Sequence, residues 1–281
     1  MATIKETTKS VADTIEALYG RSEAEAIARL VVADRLNVSF SYLLAHGSQE
    51  CSIDGLEAIT ARLAEGCPVQ YVLGHCEFCG LDFEVGEGVL IPRPETEEVV
   101  EAVVARINPD ARLLDLCTGS GCIAIALAKR LPESRVTAVD ISPAALAYAR
   151  RNAARNGVSA HFAEADVLDS RFAGSFGVRF DAIVSNPPYI PRSEQQQMHI
   201  NVTRYEPHAA LFVSDDRPEI FYEAIAGTAL QILNDGGLLC FEVHENHARS
   251  IGRMLARKGF TNVEVIDDIN GKPRIVCSRK P

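Results

Sequence analysis

The stretch RLLDLCTGSGCIAIALAKRL (residues 112–131) decides the fold. RLLDL (112–116) has the length and apolar character of a buried strand. It runs into the glycine turn CTGSG (117–121) and then into a segment that sustains a helix from about Cys122 to Leu131. Gly119 and Gly121 permit a tight turn and let a ligand approach the backbone. Strand, glycine turn and helix in that order open a βαβ unit.

The same alternation continues downstream. RVTAVD (135–140) leads into the helical AALAYARRNAARNG (144–157). SAHFAEAD (159–166), RFDAIVSN (179–186) and GLLCFEV (237–243) read as further strands. The tail VEVID…RIVCSRK, turned by Asn270-Gly271, reads as an antiparallel edge pair. Strands alternating with helices predict an α/β fold: a doubly wound, Rossmann-like parallel sheet with an antiparallel edge.

Upstream the pattern changes near residue 90. Ser22 and Glu25 have the spacing of a capping box, and Ala26, Ile27, Leu30 and Val31 follow at helical spacing. LEAITARLAEG (56–66) is a second amphipathic helix, stopped by Gly66 with Pro68 beyond. PVQYVLGHCEFCGLDFEV (68–85) is rich in β-formers and reads as a hairpin. Pro94 and the acids after it suit the first turn of a helix. Three parts are therefore expected: a small helical N-terminal domain for substrate recognition at 1–67, a hairpin linker at 68–92, and a cofactor-binding domain at 93–281.

Composition narrows the class. The chain has 281 residues, 47% of them hydrophobic and 23% charged, the balance of a globular protein with an ample core. It contains no run of eighteen apolar residues and no secretory signal, so a cytoplasmic protein with no membrane partner is expected. A net charge of −10 argues against a partner held through phosphates, so no direct nucleic-acid binding is expected. The eight cysteines are expected to be reduced thiols, and Cys76-x-x-Cys79 lacks the second pair a zinc site needs, so no metal is expected.

In doubly wound sheets ligands bind beyond the carboxyl ends of the strands, where the strand order reverses. Asp115, Asp140, Asp166 and Asn186 all stand at or near predicted strand ends. Gly119-x-Gly121-x-x-Ala124 followed by Asp140 also fits a dinucleotide fingerprint, so a nicotinamide reductase stays open on this count. Asp115 favours S-adenosylmethionine instead: a carboxylate there would repel a pyrophosphate but attract an ammonium and a sulfonium. Asp140 suits both ribose hydroxyls, Asp166 the adenine amino group, and Val167 the ring edge through its backbone.

Asn186-Pro187-Pro188-Tyr189 is the candidate acceptor site. Pro-Pro removes two N–H donors and leaves carbonyls free. The Asn186 side chain and the Pro188 carbonyl can accept both hydrogens of one NH2 group, and Tyr189 can lie against its plane. Such a nitrogen is a poor nucleophile because its lone pair is delocalised; two acceptors raise its electron density and aim it. Arg93 and Thr96 are placed to line the cofactor pocket, and Glu206, Pro207 and His208 to order a covering loop. His244 and His247 read as one surface helix turn.

VLIPRPETEE (89–98), LLDLCTGSGCIAIALA (113–128), VDISPAAL (139–146), SNPPYIP (185–191) and RYEPHAALF (204–212) together resemble the HemK/PrmC family of protein-glutamine methyltransferases. The resemblance runs from about residue 56 to the C-terminus. It implies methyl transfer from S-adenosyl-L-methionine to the glutamine of a Gly-Gly-Gln tripeptide in peptide chain release factors. It also implies cofactor contacts by Cys117, Thr118, Gly119, Ser120, Gly121, Asp140, Val167 and Asn186, and a hold on the glutamine by Asn186, Pro187, Pro188 and Tyr189. The family more often has glycine where Cys117 stands and a bulky aromatic where Val167 stands. A monomer is expected. A sister family that methylates a large-subunit ribosomal protein shares the CTGSGCIAIA loop, and an adenine-specific DNA methyltransferase would use the same acceptor logic.

Overall fold

The computed structural model describes residues 2–281, which form two compact units. One unit comprises the chain up to His75 together with His199–Tyr205; the other comprises Cys76–Met198 and Glu206–Pro281.

The first unit is helical: α1 (Ile4–Tyr19), α2 (Arg21–Leu36), α3 (Phe40–Ala45), α4 (Leu56–Ala64), α5 (Val69–Leu73) and, late in the chain, α9 (Ile200–Tyr205). A single residue, Gly20, separates α1 from α2 at φ 74°, ψ 161°, a region open essentially to glycine alone. That turn starts α2 at Arg21, which moves Ser22 inside the helix. The capping box expected at Ser22 and Glu25 is therefore not formed, and Glu25 pairs with Arg21 and Arg29 instead. Thr3 and Glu6 make the capping box, at the head of α1. Residues 69–73 are helical, so the hairpin read over 68–85 begins only at His75; five residues are too few for the helical period to show in sequence. Segment 199–205 packs here through the His199 ring on Tyr19, with centroids 5.3 Å apart, and the Tyr205 hydroxyl, which donates to the Glu65 carbonyl at 3.1 Å.

The hairpin β1 (His75–Phe78) and β2 (Leu81–Glu84), all of it but His75 in the second unit, is turned by Cys79 and Gly80, both at positive φ as a two-residue hairpin turn requires. Helix α6 (Pro94–Val104) follows, with proline at its start and Glu95 and Glu97 in its first turn. Then β3 (Arg112–Leu116), α7 (Cys122–Arg130), β4 (Arg135–Asp140), α8 (Pro143–Arg155), β5 (His161–Glu164) and β6 (Phe180–Ser185) alternate. A two-residue strand β7 (Ile190–Pro191) and the turn α10 (His208–Leu211) lead to its parallel partner β8 (Phe212–Val213). The chain ends with α11 (Ile220–Ile232), β9 (Leu233–Glu242), α12 (Ala248–Arg257), β10 (Thr261–Asp267) and β11 (Pro273–Arg279).

The seven-stranded sheet has the order β5-β4-β3-β6-β9-β11-β10. Its strands are parallel from β5 to β9, and β11 runs antiparallel to both of its neighbours, β9 and β10. Alternate residues feed opposite faces: Leu113, Ala138 and Val184 pack with α6 and α7, whereas Leu114, Val139 and Ile183 pack with α11 and α12. Each such fully buried side chain contributes about 1.5–3 kcal/mol. Chain order reverses between β3 and β6, which opens the sheet's carboxyl edge at that point. Two strands stop short of the polar residues expected to end them. β5 ends at Glu164 because Asp166 turns its carboxylate onto the Leu168 N–H at 2.8 Å, and β6 ends at Ser185, one residue before Asn186.

Candidate active site

The loop from β3 to α7 is shaped from beneath by Asp115. Its side chain is fully buried, and Oδ2 accepts from the Thr118 hydroxyl at 2.5 Å and from the Ala124 N–H, in the first turn of α7, at 3.2 Å. The seat at this helix N-terminus that a pyrophosphate would need is thus already taken by a carboxylate. Its Oδ1 is buried with no partner, and burial pushes the carboxyl up to about 7. Cys117 holds φ 61°, Gly119 φ 56° and Gly121 φ 82°, so the loop takes positive φ three times. Gly121 is needed for packing: a Cβ there would stand 3.0 Å from Ala149 Cβ on α8.

Asp140 completes the loop. The Gly119 N–H donates to one of its oxygens at 2.8 Å and the Ser142 N–H to the other at 2.9 Å. Burial raises its pKa, and these backbone donors oppose the rise. Each oxygen keeps a lone pair, enough to accept two vicinal hydroxyls.

A cleft of about 260 Å³ opens here. Of the residues singled out in the sequence, Cys117, Gly119, Asp140, Asp166, Val167, Asn186, Pro188 and Pro207 line it. Asp115, Thr118, Ser120, Gly121, Pro187 and Tyr189 do not. Arg93 and Thr96, expected at the cofactor pocket, do not line it either. Sequence reasoning missed the wall formed by Gly88, Val89 and Leu90, and the apolar Ile141, Leu168 and Phe221. Apolar side chains on loops carry no chemical signature, so only packing reveals them.

Two of the segments that line the cleft are tied by Glu206. Its buried carboxylate accepts from the Arg93 guanidinium at 2.5 Å and from the Ile91 N–H at 3.1 Å. Ile91 follows directly on the 88–90 wall, and Pro207 and Ala209 of the opposite wall follow Glu206.

Asn186, just past β6, belongs to a second buried network. Its Nδ2 donates to Thr96 Oγ1 at 3.4 Å, and that hydroxyl donates to Glu242 Oε2 at 2.6 Å. The Tyr189 hydroxyl donates to Glu242 Oε1 at 3.2 Å, and the Tyr222 hydroxyl donates to the Glu242 carbonyl at 3.1 Å. Burial raises the Glu242 pKa, while Thr96 and the nearby Arg274 charge oppose the rise. Burial, reinforced by the Glu242 charge, also raises the Tyr189 phenol, which stays protonated. The Tyr189 ring meets His244 edge-on at 6.1 Å, so His244 supports this wall rather than standing on a surface helix; α12 begins only at Ala248. An acid closing the apolar run of β9 was the available signal for Glu242.

Residues 10–74 match the model of the PrmC N-terminal domain, and residues 96–205 that of the methyltransferase small domain. A release factor glutamine methyltransferase of Bacteroides thetaiotaomicron is 41% identical over 277 residues, covering 97% of this chain and 99% of that protein. One of Chlorobaculum tepidum is 42% identical, covering 88% and 87%. A solved methyltransferase of Pyrococcus furiosus, 21% identical, covers 72% of this chain and 89% of its own with a TM-score of 0.53, which speaks for the fold. With its N-terminal and catalytic parts both matched and its full length shared with such relatives, the chain is a member of the release factor glutamine methyltransferase family.

Proposed function

We propose that this enzyme transfers a methyl group from S-adenosylmethionine to the side-chain amide nitrogen of the glutamine in the Gly-Gly-Gln motif of peptide chain release factors. The observation that carries the proposal is that Asn186 and Pro188 line the same cleft as Gly119 and Asp140. Acceptor and cofactor groups thus share one cleft. When bound, S-adenosylmethionine supplies an electrophilic methyl on a sulfonium.

The protein's part is to hold and orient. Asp140 offers two acceptor oxygens to a ribose, Gly119 and Cys117 offer backbone, and Val167 with Phe221 offers an apolar wall. The unpartnered oxygen of Asp115 gives the loop a negative bias suited to an ammonium and wrong for a phosphate. Asn186 Oδ1 and the Pro188 carbonyl accept the two hydrogens of the amide, which localises its lone pair and directs it at the methyl. No general base is needed at Asn186, which is neutral.

Relatives named for release factors support that substrate over a ribosomal protein, and the net charge of −10 weighs against DNA. A single chain supplies every group invoked, which supports a monomer as the working form. The test offers purified enzyme and labelled cofactor to unmodified release factor, large-subunit ribosomal protein and DNA in parallel. Mass spectrometry should place one methyl on the Gly-Gly-Gln glutamine. Label on either other acceptor, with release factor untouched, overturns the substrate assignment.

A further inference from the structure

We propose that Glu242 is a positioning residue which, acting through the Thr96 hydroxyl, fixes which end of the Asn186 amide faces the substrate. This rests on the reading that the acceptor is an NH2 group. The oxygen and nitrogen of an asparagine amide are nearly the same size, so packing alone does not choose between the two orientations. The choice has consequences. With Oδ1 toward the cleft, Asn186 accepts a hydrogen from the substrate; with Nδ2 there, two NH2 groups meet donor to donor and the nitrogen is pushed off line.

Glu242 settles the direction because a carboxylate only accepts. The Thr96 hydroxyl has one proton, and it goes to Glu242 at 2.6 Å. Its oxygen is then left with lone pairs alone, and the group facing them must donate. Nδ2 of Asn186 does so at 3.4 Å, which commits the nitrogen away from the substrate. The chain of hydrogen bonds therefore runs one way, from Asn186 to Glu242. The second oxygen of Glu242 takes the Tyr189 hydroxyl, so one acid orients both side chains of the Asn-Pro-Pro-Tyr segment. Glu242 and Thr96 are only 1% and 2% exposed. Burying a carboxylate is costly, and two hydroxyls with the nearby Arg274 charge are modest compensation for a merely structural role.

Three variants test this on the full-length enzyme with release factor as substrate. Thr96→Val keeps the side-chain shape but removes the relay hydroxyl. It should lower kcat roughly ten- to a hundredfold, the scale of a misoriented reacting group. Cofactor affinity by calorimetry should stay within about twofold and KM for release factor within about threefold, since neither Thr96 nor Glu242 lines the cleft. Thr96→Ser keeps the hydroxyl and should recover most of the lost kcat. Glu242→Gln added to Thr96→Val should cost little more than Thr96→Val alone, because both cut the same relay. Normal kcat in Thr96→Val, or a Thr96→Ser variant as slow as Thr96→Val, overturns the proposal. If Glu242→Gln does not fold, the two Thr96 variants decide alone. If wild-type enzyme labels a different NH2-bearing acceptor, the substrate assignment fails, and the same Thr96 series run on that acceptor still decides the role of Glu242.

Discussion

Each half of the site is organised by one fully buried carboxylate, and the two are held in opposite ways. Asp115 finds its partners close in sequence, at Thr118 and Ala124, three and nine residues on. Glu242 reaches Thr96 across 146 residues and Tyr189 across 53. Asp115 keeps one oxygen without a partner, whereas both oxygens of Glu242 are engaged. The cofactor side is thus a local loop built over an acid with spare acceptor capacity. The acceptor side is a closed network that only the complete fold assembles, and its output is the orientation of other side chains.

If that division holds, the largest effect should come from the acceptor side and should leave the cofactor side alone. Asn186→Ala removes the amide oxygen that accepts a substrate hydrogen. Single-turnover methyl transfer at saturating cofactor should fall roughly a hundredfold or more, while S-adenosylmethionine affinity changes little. Near-normal turnover would break the comparison, because the acceptor half would then not depend on its central amide.

The converse is Asp140→Ala. Its two oxygens are polarised by the Gly119 and Ser142 N–H groups, which leaves them set to accept hydroxyls. Cofactor affinity should weaken by roughly 1.5–3 kcal/mol, the range for hydrogen bonds to a charged group. Calorimetry measures this directly, and unchanged affinity would remove Asp140 from the cofactor side.

The difference between the two carboxylates also explains which parts of the molecule were legible in the sequence. The loop from Asp115 to Gly121, Asp140 and the Asn186–Tyr189 segment were found because their chemistry is written in consecutive residues at predicted strand ends. In sequence Glu242 is one more residue of an apolar strand, and Thr96, expected at the cofactor pocket, does not line the cleft. Neither residue has a function until β9, α6 and the segment after β6 are side by side. Asp166 was read as a strand terminus, although its own side chain stops the strand earlier by bonding to Leu168. The return of residues 199–205 to the helical unit had no local signal, because it depends on contacts with Tyr19 and Glu65 far upstream.

Asp115 makes a smaller but signed prediction. Its carboxyl is pushed up from 3.8 to about 7 by burial. Between those values the folded protein binds a proton that the unfolded chain has released, so stability falls as pH rises through this window. Asp115→Asn removes the charge and retains an acceptor for Thr118 and Ala124. It should raise Tm of the cofactor-free enzyme at pH 8 by at least about 2 °C, with the gain shrinking towards pH 4. The same variant should bind S-adenosylmethionine more weakly, since the negative bias at the loop is gone. A Tm gain that is the same at pH 4 and pH 8 would mean that the charge of Asp115 is not what burial penalises.

The smallest effect is expected at Cys117, and it sharpens the account of the cofactor loop. A non-glycine residue at φ 61° costs about 1–2 kcal/mol, because its Cβ crowds the following carbonyl. Glycine would remove that crowding but would add freedom to the unfolded chain worth roughly 0.5–1 kcal/mol. It would also forfeit the contact the thiol makes with the apolar cluster around α11. The two sides nearly cancel, so Cys117→Gly should change stability by less than about 1 kcal/mol by this reckoning. If the loop meets the cofactor through its backbone, affinity should stay within about twofold, since the path that glycine prefers is the one Cys117 already follows. A tenfold loss of affinity would instead mean that the thiol itself touches the cofactor. The cofactor side would then depend on the side chain that opens its loop, as the acceptor side depends on Asn186.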